Sequence, residues 1–177
     1  MTSPVVHNYA RALVELMKDQ AQLDITREIA ETLIDYFKKQ ELIFFLRHPK
    51  VPTGEKKEFF RRLVPPETPQ EIFNFINLLI DRGRLNFFIE ILNKIVQLTI
   101  LEQGYEIVTF ISAQPMTEGE RKSILGELET VWQIQIYPEF RVNPNILGGI
   151  IIQRGDMLYD GSLNGQLGKI RDLFTSL

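Results

Sequence analysis

The sequence has no cysteine. Disulfides, thiolate metal sites and cysteine nucleophiles are thereby excluded, and an intracellular setting is expected over a secreted disulfide scaffold. Histidine is scarce as well: His7 and His48 lie far apart and form no HxxxH or HExxH pattern. No metal centre, no cofactor and no Ser/His/Asp arrangement is therefore expected, and both histidines read as solvated surface residues. Positive charge does not dominate, since 20 Lys+Arg against 23 Asp+Glu give a net charge of -3. A chain so balanced has no broad basic surface for phosphates, which argues against nucleic acid as a partner. Long apolar runs are missing too. The segment "IFNFINLLI" between Glu71 and Asp81 is about half of the ~20 residues that cross a bilayer as a helix, so no direct membrane insertion is expected. The opening "MTSPVVHNYARALVEL" lacks the marks of a signal or transit peptide and reads as a mature start.

What is present is enough for a core: 177 residues, 44% of them hydrophobic, make one ordinary domain or two small ones. Up to Gln103 the apolar spacing is helical. Val6, Tyr9, Ala10, Leu13, Leu16 and Met17 recur at three and four, behind a Ser3 cap and Pro4 in the first turn. A second helix places Ile25, Ile29, Leu33, Tyr36 and Phe37 on one face and leaves Arg27, Glu28, Glu31 and Asp35 to water. A shorter piece, "ELIFFLRH", is stopped by Pro49, and "TGEKKEFFRRL" resumes until Pro65 and Pro66. Thr68 and Glu71 then spell a capping box for the fifth helix, which Gly83 ends. The sixth puts Leu85, Phe88, Ile89, Leu92 and Val96 on one stripe with Phe87, Ile91 and Leu98 off it, so it should be buried on more than one side. Residues 1–104 thus read as a six-helix antiparallel bundle.

After Gly104 the period changes to two. "YEIVTFISA" and "WQIQIYPEF" read as strands, the latter with Trp132, Ile134 and Ile136 against Gln133 and Gln135. Between them Thr117 and Glu120 form a second capping box for a helix that tolerates Gly126. "GIIIQR" and "MLYD" give two more strands, and Leu163, Leu167, Ile170 and Phe174 are spaced as a final helix. Residues 105–177 form a small α+β domain on this reading. It carries the negative balance, with 6 basic and 9 acidic residues against 14 and 14 before Gly104.

The last part of the chain is rich in glycine, which raises the question of a phosphate loop. Gly161 precedes Gly168-Lys169 by six residues where four are needed, and Ile170 occupies the hydroxyl position. A dinucleotide fingerprint fails because Gly148-Gly149 enter a strand instead of leaving one for a helix. Turn geometry explains the pattern better. Arg154-Gly155-Asp156 is an adhesion tripeptide by spelling, but Gly155 and Asp156 sit where a hairpin needs positive φ. Gly148 and Gly149 suggest a bulge or close backbone approach, and Asp160, Gly161 and Ser162 a strand-to-helix junction with Ser162 as N-cap. Gly165 and Gly168 are left without an account beyond close packing. The acids Asp35, Glu41, Asp81, Glu139 and Asp160 are available for a carboxylate pair, but their usual role is solvation, so no catalytic residue is assigned.

Five landmarks in order carry a resemblance: "YARAL", "FLRHP", "LLIDRGRL", "SAQPMT" and, most specifically, "ILGGIIIQRGDMLYDGSLNGQL". Together they resemble the delta subunit of F-type ATP synthases and its mitochondrial relative, the oligomycin-sensitivity-conferring protein (OSCP). Asn143 and Asn164 depart from the family's usual aspartate and basic residue without disturbing the turns. The resemblance implies a non-catalytic stator, peripheral to the membrane through the complex, on the cytoplasmic face of a bacterial membrane or the corresponding face of a thylakoid. It implies two partners. A groove between the first and fifth helices would receive the N-terminal helix of an alpha subunit, with Tyr9, Ala10, Leu13, Leu78 and Leu79 as anchors and Arg84 at the rim. The C-terminal domain would meet the b-type subunits of the peripheral stalk. The competing expectations are a helix-binding adaptor unrelated to ATP synthase and an enzyme with an unrecognised carboxylate site.

Overall fold

The computed structural model describes residues 3–38, 48 and 50–162. The chain divides into two compact units, Met1–Gln103 and Gly104–Leu177. The described residues hold six α-helices and a four-stranded sheet, so the chain is mainly helical with an α+β C-terminal part. The helical piece expected at 41–48 falls outside the described residues except for His48, and so does the final helix expected after Ser162, with Gly165 and Gly168.

In the first unit, α1 (Pro4–Asp19) starts with Pro4 in its first turn, where a missing N–H leaves no bond unmade. Ser3 occupies the cap position, but its side chain makes no capping bond; its carbonyl accepts the His7 N–H instead, at 3.2 Å. The helix closes with Gln22 N–H on Met17 O at 2.9 Å and Ala21 N–H on Lys18 O at 3.0 Å, a Schellman closure that sets Ala21 at φ +55°. After α2 (Leu23–Phe37) and α3 (Thr53–Leu63), α4 (Gln70–Asp81) closes in the same way with Gly83 at φ +63°. A short 3₁₀ turn, Leu85–Phe87, leads into α5 (Phe88–Glu102).

The expected capping box at the start of α4 does not form. The cap residue is Pro69, so Thr68 lies one position too far out. Its hydroxyl is buried without a hydrogen-bond partner, while the Glu71 carboxylate accepts from Gln20 Nε2 at 3.4 Å.

The core of this unit centres on Phe37, Phe60 and Phe88, whose rings meet at centroid distances of 5.8, 5.4 and 5.1 Å. On α1 the buried stripe is Val6, Ala10, Leu13, Val14 and Met17. Leu16 and Tyr36, expected inside, are each 44% exposed. Val14 completes the stripe on α1 and Ala30 lies on the buried face of α2, which leaves Leu16 and Tyr36 off the inward face of their helices. Helix α5 is buried on more than one side, through Phe88, Ile91, Leu92, Ile95 and Ile100.

The second unit is a sheet in the order β2-β1-β3-β4, built from β1 (Tyr105–Ser112), β2 (Gln135–Val142), β3 (Ile150–Arg154) and β4 (Met157–Asp160). β1 and β2 run parallel, joined through α6 (Glu118–Trp132), and the other pairs are antiparallel. Pro138 is tolerated because β2 is an edge strand. The Thr117–Glu120 capping box forms as expected: Glu120 N–H donates to Thr117 Oγ1 at 3.3 Å and Thr117 N–H to Glu120 Oε2 at 2.7 Å. That firm start carries α6 through Trp132, so β2 begins at Gln135 and not at Trp132, with Gln133 at φ +52° turning the chain. The core is Val108, Phe110 and Ile136 under Ile124, Leu125, Leu128 and Trp132, with Phe110 stacked on its register partner Phe140 at 5.2 Å.

Candidate docking surface and turn segment

α1 packs chiefly on α5 and α2 and touches α4 at two points, in antiparallel sense. Tyr9 meets Phe75 edge-on at 6.4 Å, and further along α1 Gln20 reaches back to Glu71 at the start of α4. Of the residues expected to line a docking groove, Ala10 (0% exposed), Leu13 (4%) and Leu79 (0%) are in the core. Tyr9 is half-buried at the seam, Leu78 is 42% exposed and Arg84 is exposed just past α4. The seam also presents Val5, Ala12 and Leu16 on α1 and Arg82 after α4, which the sequence reading omitted. The signal for them was available: Val5, Tyr9, Ala12 and Leu16 recur at four, three and four on one flank of α1. A partly exposed apolar strip along helices that touch is a shape that can accept the apolar face of another helix.

A second concavity of about 270 Å³ lies between α3 and α4, with Lys57, Arg61 and Asn77 over Phe60, Phe73 and Ile76. Its cations are engaged: Lys57 pairs with Asp81 at 2.7 Å and Arg61 with Glu58 at 3.2 Å.

The glycines of the second unit serve backbone geometry. Gly148 and Gly149 take φ of +135° and +79°. A Cβ on Gly149 would stand 2.4 Å from the Gly161 carbonyl oxygen, closer than atoms can approach. Gly161 in turn donates its N–H to Ile150 O at 3.0 Å, so the entry to β3 and the exit from β4 are held backbone against backbone. The Asp160 carboxylate accepts the Ser162 N–H at 2.8 Å, and Ser162 is 1% exposed; the cap role expected of Ser162 concerns a helix outside the described residues. In the β3–β4 hairpin only Gly155 has positive φ, +55°. Asp156 does not share it, contrary to expectation, because a turn with one left-handed residue in first place needs no second.

The Arg154 side chain of the adhesion-like tripeptide is already held. Its Nε and Nη2 donate to the two Glu106 carboxylate oxygens at 2.7 and 2.9 Å, and its guanidinium lies 5.0 Å from the centre of the Trp132 ring. Hydrogen bonding from Arg154 holds the Glu106 carboxyl below its ordinary value, against desolvation that pushes it up.

Among the described residues the chemistry-bearing groups do not converge. Asp35, Asp81 and Glu139 pair with Lys38, Lys57 and Arg141, and Glu41 lies outside the described residues. Among the described residues no three His, Asp or Glu side chains are placed to hold a metal ion, and no helix is long and apolar enough to cross a membrane. His7 and His48 are both half-buried instead of fully solvated, and His48 Nδ1 accepts the Lys50 N–H at 3.3 Å.

The profile of the ATP synthase delta (OSCP) subunit matches residues 5–174. The chain belongs to the delta (OSCP) family. ATP synthase subunit delta of Brevibacillus brevis is 30% identical over 168 residues, covering 94% of this chain and 96% of that protein. ATP synthase subunit delta of Heliobacterium modesticaldum is also 30% identical and covers 100% and 95%. Among solved structures, a chain of the Toxoplasma gondii mitochondrial ATP synthase hexamer matches with a TM-score of 0.74 at 18% identity over 98% of both chains, a likeness of fold. Membership in the delta (OSCP) family accounts for a non-catalytic chain and leaves the unrelated-adaptor reading without support.

Proposed function

We propose that this chain is the stator subunit that ties the catalytic head of an F-type ATP synthase to its peripheral stalk. The observation that carries the reading is the family match from residue 5 to residue 174, spanning both units. The mechanics follow from rotary coupling: a shaft turning inside the catalytic ring pushes the ring sideways, and an unheld ring turns with it, so no work reaches ATP. A holder needs two docking surfaces and no chemistry of its own.

The helical unit, read as a six-helix antiparallel bundle, takes the N-terminal helix of an alpha subunit in the α1/α4 seam. Tyr9, Leu78 and Leu16 grip it, over a floor of Ala10, Leu13 and Leu79, with Arg84 at the rim. The second unit meets the b-type stalk subunits. The assembly sits on the cytoplasmic face of a bacterial membrane or the equivalent face of a thylakoid.

The test is reconstitution: ATP synthase stripped of this subunit, returned to vesicles, should regain proton-driven ATP synthesis when the chain is added back. ATP hydrolysis by the detached head should not change. Failure to restore synthesis with folded protein would refute the stator role.

A further inference from the structure

We infer that Arg121 is the anchor by which the second unit grips a carboxylate of a stalk subunit. This rests on the stalk-docking role proposed above and adds the residue and the chemistry of the contact. Arg121 lies in the first turns of α6, where Thr117 and Glu120 fix the start of the helix. Its backbone N–H donates to Thr117 O at 3.0 Å, and its guanidinium lies over the Phe140 ring, 4.6 Å from the centre. The Nε is buried and makes no hydrogen bond. No acid among the described residues supplies the missing partner: Glu120 is committed to the Thr117 cap, and Glu139 to Arg141 at 2.7 Å.

The same unit shows the arrangement completed. At the other end of α6, Arg154 lies over Trp132 at 5.0 Å, and there Glu106 supplies a carboxylate to both Nε and Nη2. Arg121 has the ring without the acid. A guanidinium nitrogen out of water and unpaired costs the fold free energy, because the hydration it loses is not replaced. A planar cation held on a ring also has little freedom left to lose, so it is ready for a planar carboxylate. The surroundings suit a protein contact: Phe140 is half-buried, and Val142, two residues on along the edge strand β2 and on the same face, is 50% exposed. An acidic side chain beside apolar residues of the partner fits such a margin. Carboxylate is favoured over phosphate because a group of nearly two negative charges calls for several cations. Beside the Arg121–Phe140 pair in the sequence stand Lys122, which is exposed, and Arg141, which is already paired.

The experiment titrates the full chain with the soluble part of the b-type stalk subunits from the same organism. Arg121→Met keeps an unbranched apolar stem on Phe140 and removes the guanidinium. Lys122→Met, at the exposed position beside it, removes an equal charge. Arg121→Met should weaken binding at least about tenfold, and Lys122→Met about twofold or less, with the smaller loss fading in high salt. In the free protein, urea unfolding followed at Trp132 should place the Arg121→Met midpoint at or above that of the wild type, since a buried donor without a partner is gone. Unchanged binding by Arg121→Met, or an equal loss in both variants, would overturn the inference while leaving stalk docking in place. A lower urea midpoint for Arg121→Met would show that the arginine serves the fold, and would overturn it as well. No binding by the folded wild type would overturn this inference together with the stalk-docking role.

Discussion

The two units of this chain dispose of apolar side chains differently. The helical unit closes its core around three phenylalanines and, among the described residues, leaves Leu16, Tyr36, Leu78 and Leu101 as its exposed large apolar residues. The shorter sheet unit exposes Val131, Val142, Leu147, Met157, Leu158 and Tyr159, and none of the residues of α6 is fully buried. The first unit is held by packed volume, the second by register, glycine geometry and a few polar clamps. The same kind of substitution should therefore act by different mechanisms in each.

The largest effect is expected at the phenylalanine cluster. Phe60 is 1% exposed between Phe37 and Phe88, so Phe60→Ala should cost about 3–5 kcal/mol through lost transfer energy and the cavity left behind. Urea unfolding followed by far-ultraviolet circular dichroism measures it, and a cost under about 1 kcal/mol would show that this core is not close-packed. In the sheet unit the comparable weak point is a glycine. Gly149→Ala places a methyl group against the Gly161 carbonyl at a φ of +79°, and should cost about 2–3 kcal/mol as backbone strain. Trp132, the one tryptophan, reports it by fluorescence. A variant as stable as the wild type would refute the close backbone approach.

A smaller contrast comes from the same motif with opposite outcomes. Thr117→Ala removes a formed cap and should cost about 1 kcal/mol. Thr68→Val replaces a buried hydroxyl that has no partner with a group of the same shape, and should be neutral or stabilising. Equal losses at both positions would mean that Thr68 caps α4 after all. The smallest effect concerns Glu106. Its carboxyl is held below the ordinary glutamate value by Arg154, so the pair's contribution is complete at neutral pH and is lost as pH falls through that lowered value. Both side chains are partly exposed, 23% for Arg154 and 41% for Glu106, which keeps the contribution small through screening. Acid titration of Glu106→Gln against wild type, read at Trp132, should show a shallower loss for the variant in that range.

Local signals were legible where one residue type has one physical use. Gly83 ends α4, Gly149 permits a backbone approach, and the Thr117 box starts α6. The Thr68 box misled because Pro69, next in line, took the cap position itself. Trp132 read as strand because its neighbours alternate, and only the preceding helix, still running, decides otherwise. The proposed docking seam was half legible. Periodicity identifies which residues of α1 are apolar, but whether Leu13 or Leu16 faces outward depends on which helix lies beside it, and that is a tertiary fact. The family resemblance, by contrast, rests on short motifs of glycine, aspartate and proline, residues whose main use is turn geometry.

The central claim is that the helical unit holds a helix of the catalytic head in the α1/α4 seam. Calorimetric titration with the alpha-subunit N-terminal peptide tests it most directly, on wild type and on Leu78→Asp, an exposed change that leaves the core untouched. One peptide bound per chain, weakened at least about tenfold in a Leu78→Asp variant that remains folded, is the predicted result. Equal binding by both proteins, or none by the folded wild type, would contradict the claim.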